Sequence, residues 1–339
     1  MKKVAYTGDL CVIKSPSNLF YLTGYDNADA IIVLVGDKSY YFTDARYFEE
    51  VKVLENDFII CKIADFSSFI ENGGYKTASV ESTIDIKLVK QLEKCGVSVV
   101  DFCDKSMADL RAIKSESEIA KMISAQEITD RVFEKILSCI EVGMTERSLA
   151  SKLEAELYAN GADGLAFTSI VAFGENTSKP HAHRSDKKLE KGMPITLDFG
   201  AKFGGFCSDM TRTFFMGKPD TELSDTYKLV LDAQQYALAN IKSGMTGKEC
   251  DELARSYFRK YGQDKYFVHS LGHSLGIDCH ESPNFSPRCD EIINQGMVLS
   301  VEPGLYYEGK YGVRIEDVIY FGENGIINLT KSPKNMIIL

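Results

Sequence analysis

Two pairs of acidic residues in apolar segments are the part of this sequence best suited to chemistry. Asp198 and Glu302 each lie in a largely apolar, strand-like segment, and Asp209 and Glu316 follow them beyond a glycine-containing turn. This pattern predicts two β-hairpins that each carry two carboxylates. Carboxylates that face each other repel, and burying them without a partner is costly. They must share protons or bind cations, and two divalent cations carry the charge that four carboxylates need.

The register of each hairpin depends on where its turn is centred. A turn centred between Phe203 and Gly204 places the two aspartates directly opposite each other, and a turn centred on Gly309 does the same for the two glutamates. The Cβ atoms of directly opposed residues lie about 5 Å apart. One such acid alone could be a strand-edge charge or a salt-bridge partner. Two facing pairs in apolar strands favour a metal site.

The histidines support a metal site because all of them occur in one part of the chain. The sequence has five, namely His181, His183, His269, His273 and His280. A single histidine is more often a core or surface residue, and that alternative stays open for one or two of them. Imidazole suits first-row metals and carboxylates suit harder ones. A mostly oxygen site with one nitrogen therefore predicts manganese, cobalt, iron or zinc, and magnesium fits less well.

A site that holds two such ions indicates a hydrolytic reaction. Held about 3.5–4 Å apart, they share a water, lower its pKa to generate hydroxide, and polarise a carbonyl group. Histidines that do not bind metal would donate hydrogen bonds to the oxyanion or orient the substrate. Arg314 precedes Glu316 by two residues, so it points to the same face of the sheet and is expected to pair with a metal ligand. A surface arginine is the alternative.

Composition and charge exclude several classes of function. The net charge of −10 argues against binding nucleic acids or anionic membranes, which require clustered Lys and Arg. The basic start of the chain has no apolar run of the kind a signal peptide needs, and the longest apolar run, Ile31–Val35, cannot span a bilayer. The nine cysteines form no CxxC pair. Reduced thiols in the cytoplasm are therefore expected.

The segments around these residues predict two domains. Up to about residue 105, short strands alternate with helical segments, which predicts an α/β domain. Long amphipathic helices then follow at Ser115–Ile140, Thr145–Tyr158, Glu222–Ile241 and Thr246–Tyr261. Each pair of helices precedes strands, so the second domain is predicted to repeat one plan of a helix pair and a sheet. The predicted domains are residues 1–112 and 113–339.

Several motifs resemble those of the metallopeptidases with the pita-bread fold, in the branch that contains Xaa-Pro aminopeptidase and prolidase. In the second domain the matching segments are Asn176–His181, Leu197–Gly200, Cys207–Thr213, Gly272–Gly276, His280–Pro283, Val301–Gly304 and Gly312–Asp317. In the first domain, Asn18–Tyr25 and Phe42–Tyr47 resemble the amino-terminal domain of the family. Seven motifs in order, at matching separations, make the resemblance specific.

The resemblance implies roles for individual residues. The metal ligands of the family fall on Asp198, Asp209, His273, Glu302 and Glu316. Among these, Asp209 and Glu316 would bridge both ions, Asp198 would complete one shell, and His273 with Glu302 would complete the other. The resemblance also implies a homodimer in which manganese or cobalt supports activity.

Residues outside the ligand set also match the family. His181 and His280 match its substrate and transition-state histidines, His269 matches a position of the proline pocket, and Arg314 matches an arginine beside the metal ligands. Ser274 departs from the pattern because many members have glycine there, although serine is small enough to leave metal binding intact. His183 has no assigned role.

The sequence leaves several functions open. The first is an Xaa-Pro aminopeptidase, which removes the residue before a proline, and the second is a prolidase, which cleaves only dipeptides ending in proline. A methionine aminopeptidase generally lacks the first domain, and a creatinase works without the metal ligands. A binding or scaffold protein would usually have lost ligands, whereas all five are present here. The aminopeptidase is the preferred prediction.

Overall fold

A computed structural model of the chain describes residues 3–27 and 29–339, and Met1 and Lys2 of the basic start lie outside this range. The chain divides into two compact units, of which the first ends at Arg111 and the second spans Ala112–Leu339. Among the described residues, no helix combines the length and the apolar character needed to cross a lipid bilayer.

The first unit is built on one mixed sheet of six strands in the order β4-β3-β2-β1-β5-β6. Its elements are β1 (Leu10–Ile13), α1 (Pro16–Thr23), β2 (Ile31–Val35), β3 (Lys38–Thr43), β4 (Ile59–Lys62), α2 (Phe66–Gly73), β5 (Thr77–Val80), α3 (Ile86–Lys94), β6 (Ser98–Phe102) and α4 (Asp104–Ala112). The predicted α/β pattern is confirmed. Residues 44–54, whose composition predicts a helix, form two short 3-10 helices, Ala45–Tyr47 and Glu50–Leu54.

Four long helices organise the second unit. They are α5 (Glu116–Leu137), α6 (Glu146–Ala159), α7 (Thr221–Asn240) and α8 (Gly247–Lys260). Their starts follow from side-chain caps: Ser115 and Thr246 each form a capping box with a glutamate three residues later, and Thr145 caps α6. All four predicted helices are confirmed, although α5 ends at Leu137 and not at Ile140.

The strands of the second unit follow each helix pair. After α6 come β7 (Gly164–Leu165), β8 (Ile170–Phe173), β9 (Pro194–Phe199), β10 (Ala201–Phe203), β11 (Phe206–Cys207) and β12 (Met210–Phe215). After α8 come β13 (Gly272–Ser274), β14 (Glu281–Phe285), β15 (Val298–Val301), β16 (Gly304–Tyr307), β17 (Tyr311–Arg314), β18 (Asp317–Gly322) and β19 (Gly325–Asn328).

Each helix pair covers one of the sheets. Buried side chains of α5 and α6 pack on β8, β9 and β12, and those of α7 and α8 pack on β15, β17 and β18. The sheet orders are β12-β9-β8 in the first half and β14-β13-β15-β18-β19 in the second. The predicted duplicated plan of helix pair and sheet is therefore confirmed.

The predicted register of the first hairpin is wrong by two residues. Asp198 pairs with Thr211 and not with Asp209. The turn is centred on Gly204 and Gly205, whose φ angles of 57° and 84° fit the two-residue turn that needs positive φ at both positions. Asp209 is therefore a diagonal neighbour of Asp198, on the same face of the ribbon.

The predicted register of the second hairpin is confirmed. Val301 pairs with Asp317 at the end of β15, and Gly304 pairs with Arg314 in the β16–β17 hairpin. Glu302 and Glu316 lie at the junctions between these two pairs of strands. Their side chains are thus held at the two points where the chain passes between the five-stranded sheet and the β16–β17 hairpin.

Candidate metal centre

Three of the predicted ligands meet in the second unit. Asp209 directly precedes β12, His273 lies in β13, and Glu316 lies between β17 and β18. One ligand atom from each residue lies within 4.8 Å of the other two. Because the three residues come from different strands, sheet packing and not local sequence brings them together.

The other two predicted ligands border this group. The Oδ2 atom of Asp198 lies 2.6 Å from Nη2 of Arg314. The Oε1 atom of Glu302 lies 3.2 Å from Nε2 of His273 and accepts a hydrogen bond of 3.0 Å from Oγ of Ser300. All five predicted ligands line one cavity of about 770 Å³.

Two carboxylate oxygens in this group are buried without a partner. Within residues 3–27 and 29–339, Oδ1 of Asp209 and Oε1 of Glu316 have no hydrogen-bond partner. Burial, together with the charge of Asp198, raises the pKa of Asp209 to about 8, and burial with the charge of Asp209 raises the pKa of Glu316 well above its usual value. A divalent cation would bind both oxygens and offset the cost of burying their charges. The oxygen-rich donor set with one imidazole fits a first-row ion.

His273 partly offsets the charge of the acids. Burial by itself lowers the pKa of His273, but the hydrogen bond to Glu302 and the charges of Glu302 and Asp209 raise it to about 9. Burial acts to raise the pKa of Glu302, but the hydrogen bond and the charge of His273 outweigh burial and lower this pKa to about 2. The Nδ1 atom of His273 lies 3.2 Å from the carbonyl oxygen of Ser274, which leaves Nε2 facing the acids, as a metal ligand requires.

The metal-free protein is expected to lose stability as the pH rises from about 6.5 to about 8, where the unfolded histidines are already neutral. The folded state holds protons on Asp209 and Glu316 that the unfolded state has already released in this range, because both folded pKa values are raised. Each retained proton contributes a slope of up to about 1.4 kcal/mol per pH unit. Urea denaturation at several pH values measures this slope. Manganese should abolish it by binding the ionised carboxylates, and a metal-free protein that gains stability over this range would contradict the assignment.

Arg314 connects the two hairpins through a buried network. Besides its contact with Asp198, its Nε donates to Oγ1 of Thr211 (2.9 Å) and its Nη1 donates to the hydroxyl of Tyr306 (2.8 Å). The hydroxyl of Thr211 in turn donates to Oε2 of Glu316 (2.7 Å). The structure thus places Arg314 beside one predicted ligand directly and beside another through Thr211.

His269 lies at the far end of the same network. Its Nδ1 lies 2.8 Å from the carbonyl oxygen of Ser270, and its Nε2 lies 2.9 Å from the hydroxyl of Tyr306. Burial lowers the pKa of His269 to about 4, so the ring is neutral and both nitrogens are engaged. Sequence reasoning missed Thr211 and Tyr306. Tyr306 and Arg314 occupy positions of one hairpin whose side chains point to the same face, and this alternation was a signal that could have identified Tyr306.

Three further histidines line the cavity. The ring of His280 lies 4.2 Å, between centroids, from that of His273, and burial with the charge of His273 lowers the pKa of His280. His181 and His183 lie in an exposed loop at the cavity. The buried carboxylate of Glu146 accepts hydrogen bonds from Phe173 N, Asn176 Nδ2 and Ser185 N, and so ties this loop to the start of α6. No sequence signal identified Glu146.

A second buried arginine holds the backbone at Glu316. Arg212 lies 2.9 Å from Oδ1 of Asp317, donates to the carbonyl oxygen of Glu316, and donates to the carbonyl oxygens of Ser332 (2.8 Å) and Pro333 (3.1 Å). Both charged side chains are buried. The carboxy-terminal segment is thereby fixed against the strand junction that carries Glu316.

Known proteins share both the sequence pattern and the fold. Residues 120–323 match the family model described as metallopeptidase family M24, and residues 5–132 match the creatinase/prolidase N-terminal domain. The chain is 40% identical to the uncharacterized peptidase YqhT of Bacillus subtilis, a match that covers 98% of this chain and 96% of that one.

Two solved structures are similar over nearly the whole chain. An Xaa-Pro dipeptidase from Bacillus anthracis superposes with a TM-score of 0.94 at 34% identity, covering 98% of this chain and 95% of that one. An X-Pro aminopeptidase from Thermotoga maritima superposes with a TM-score of 0.89 at 33% identity, covering 98% of both chains. The predicted resemblance and the predicted fold are confirmed. The chain belongs to metallopeptidase family M24, in its Xaa-Pro peptidase branch.

Proposed function

We propose that this metallopeptidase is an Xaa-Pro aminopeptidase that hydrolyses the peptide bond between an amino-terminal residue and a following proline. The observation that carries the proposal is the meeting of Asp209, His273 and Glu316 within 4.8 Å, with buried carboxylate oxygens that have no protein partner. Catalysis belongs to residues 113–339, and residues 1–112 form the amino-terminal domain.

The proposed cofactor is a pair of divalent ions, manganese in the first instance, with cobalt, zinc or iron as alternatives. Asp209 and Glu316 would hold both ions, Asp198 would hold one of them, and His273 with Glu302 would hold the other. When bound, such a pair supplies a water of lowered pKa and polarises the scissile carbonyl. The contact of His273 Nδ1 with the carbonyl oxygen of Ser274 and the hydrogen bond from Ser300 to Glu302 orient these side chains for that role.

The remaining cavity residues bind and orient the peptide. His280, which packs on His273 and has a lowered pKa, is neutral near pH 7 and can donate a hydrogen bond to the oxyanion. His181 binds the substrate from the exposed loop. His269 has both nitrogens engaged, so it contributes a rigid wall to the proline pocket. Arg314 opposes the rise that burial causes in the pKa of Asp198 and holds its carboxyl group in place.

Two features favour peptides longer than a dipeptide. The cavity of about 770 Å³ exceeds what two residues fill and falls within the range of about 300–1,000 Å³ that holds much larger ligands. A dipeptide also brings a free carboxylate next to its proline, which calls for a cation. Of the two arginines that line the cavity, Arg314 is engaged with Asp198, and Arg184 is paired with Glu154 at 2.6 Å.

The second candidate function is that of a dipeptidase, and the similarity to a protein named Xaa-Pro dipeptidase favours it. Both activities use the same metal centre and differ in the length of peptide that the cavity accepts. We further infer a cytoplasmic location, because all nine cysteines, which lie within the described residues, are free thiols, as expected in a reducing compartment. The inference of a homodimer rests on the family resemblance alone.

Manganese-loaded protein is expected to release arginine from Arg-Pro-Pro, and to do so faster than it cleaves Gly-Pro. The physical reason is that the cavity is larger than a dipeptide needs and that both of its arginines are already paired with acidic side chains. Incubation with each peptide, followed by product analysis by mass spectrometry, measures both rates, and Arg-Ala-Ala serves as a control for the proline requirement. Cleavage of Gly-Pro alone would overturn the aminopeptidase assignment in favour of the dipeptidase.

A further inference from the structure

The loop of residues 276–281 brings His280 to the cavity and is closed by the carboxylate of Glu281. The Oε1 atom of Glu281 accepts hydrogen bonds from Ile277 N (2.9 Å) and Asp278 N (3.2 Å). The carboxylate packs so closely that a Cβ atom on Gly276 would lie 2.8 Å from its Oε2. This carboxylate therefore fixes the shape of the loop that ends in His280.

The charge of Glu281 is neutralised from a distant part of the sequence. The Nζ atom of Lys114 lies 3.0 Å from Oε2 of Glu281, and the two side chains are 2% and 5% exposed. The backbone N–H of Lys114 donates to the carbonyl oxygen of Gly296 (2.9 Å), which anchors the lysine just before α5. A pair this deeply buried tolerates the loss of one partner poorly, because the remaining charge loses its ion-pair partner.

The other side of the loop contacts the metal centre. The backbone N–H of Cys207 donates to the carbonyl oxygen of Gly276 (2.7 Å), and the thiol of Cys279 donates to Oδ2 of Asp209 (3.1 Å). The ring of the next residue, His280, packs against that of His273 with an angle of 51° between the ring planes. The loop is thus held between the Lys114–Glu281 pair and the ribbon that carries Asp209.

We propose that Lys114 is a positioning residue for the reaction: by neutralising Glu281 it fixes loop 276–281 and sets the position of His280 over the metal centre. This inference rests on the proposed function, in which His280 contacts the reacting peptide. Without Lys114, the buried carboxylate moves towards water and carries the loop with it. The metal ligands keep their places because they lie on or beside strands outside this loop.

The substitution Lys114→Met is expected to lower kcat for Arg-Pro-Pro by about a hundredfold, the cost of an ångström-scale misplacement of a reacting group. Manganese content and the KM for the peptide should stay close to those of the unchanged protein. Lys310→Met, which removes a lysine from an exposed pair with Glu222, is the matched control and should retain full activity.

A double variant separates positioning from simple loss of structure. In Lys114→Met/Glu281→Gln both charges of this pair are removed, and the glutamine carbonyl can still accept from Ile277 N and Asp278 N. Most of the lost kcat should therefore return. An unchanged kcat in Lys114→Met, or a double variant no better than the single one, would overturn the proposal.

The position of His280 can also be read without turnover. In zinc-loaded, ¹⁵N-histidine-labelled protein, Lys114→Met should shift the ring resonances of His280, assigned with His280→Asn, and should leave those of His183 in place. If the unchanged protein cleaves no Xaa-Pro peptide, the proposed function fails while this shift still reports the positioning. A His280 resonance that does not move would contradict the role of Lys114.

Discussion

Asp209→Asn is expected to abolish metal binding and to lower kcat/KM for Arg-Pro-Pro by about a thousandfold or more, because the proposed metal pair would supply several kcal/mol of transition-state stabilisation. Asp209 is proposed to bridge both ions, and an amide cannot neutralise either of them. Elemental analysis after dialysis against manganese and steady-state kinetics measure the two effects.

The same substitution should leave the fold intact and should even stabilise the metal-free protein near pH 8. The buried carboxylate of Asp209 has one oxygen without a partner and a pKa raised to about 8 by burial and by Asp198, so its ionised form is unfavourable in the folded state. Asp186→Asn, at an exposed aspartate paired with Arg147, is the matched control. Asp209→Asn protein that keeps its manganese and its turnover would refute the bridging role.

Arg314→Met is expected to lower the free energy of unfolding by about 3–5 kcal/mol, the usual cost of removing one partner of a buried ion pair. The guanidinium is almost fully buried and lies 2.6 Å from Asp198, with Thr211 and Tyr306 as further partners. Its loss leaves the buried carboxyl group of Asp198 without its ion-pair partner. Urea denaturation of the metal-free protein measures the change.

Two companion variants locate the cause of that loss. Arg314→Lys should recover only part of the stability, because an ammonium group cannot reach Asp198, Thr211 and Tyr306 in one planar arrangement. Asp198→Asn/Arg314→Met should be more stable than Arg314→Met alone, because the unpaired carboxyl group is gone. If the double variant is the less stable of the two, the unpaired carboxylate is not the source of the effect.

Periodicity and capping made the long elements of this fold predictable. The apolar repeat of α5 and the cap residues Ser115, Thr145 and Thr246 located the helices of the second unit to within a few residues. The first strand and first helix were missed because Leu10–Ile13 and Pro16–Thr23 are too short to show a period. Residues 44–54 have helical composition, but they form only 3-10 turns.

The two hairpins show how turn chemistry decides a register. For the second, the position of Gly309 was enough to place Glu302 and Glu316 correctly. For the first, two adjacent glycines allowed two turn centres, and the structure uses Gly204 and Gly205 together. Both registers put Asp198 and Asp209 on one face, since a shift by two residues preserves the side of the ribbon. The prediction that the acids meet therefore survived the error.

Residues that support the site through hydrogen bonds or ion pairs could not be predicted from the sequence. Glu146 and Thr211 bond to groups far away in the chain, and nothing in their neighbours marks them. Lys114 is separated from Glu281 by more than half of the second unit. Such partners are specified by packing alone, and only coordinates reveal them.

The central claim is that Asp198, Asp209, His273, Glu302 and Glu316 form one centre for two divalent cations. Counting bound manganese by elemental analysis, after equilibrium dialysis of the unchanged protein and of Asp209→Asn, tests it most directly. We expect two ions per chain in the unchanged protein and none in the variant. No bound ion in the unchanged protein under any loading condition, or equal occupancy in both proteins, would contradict it.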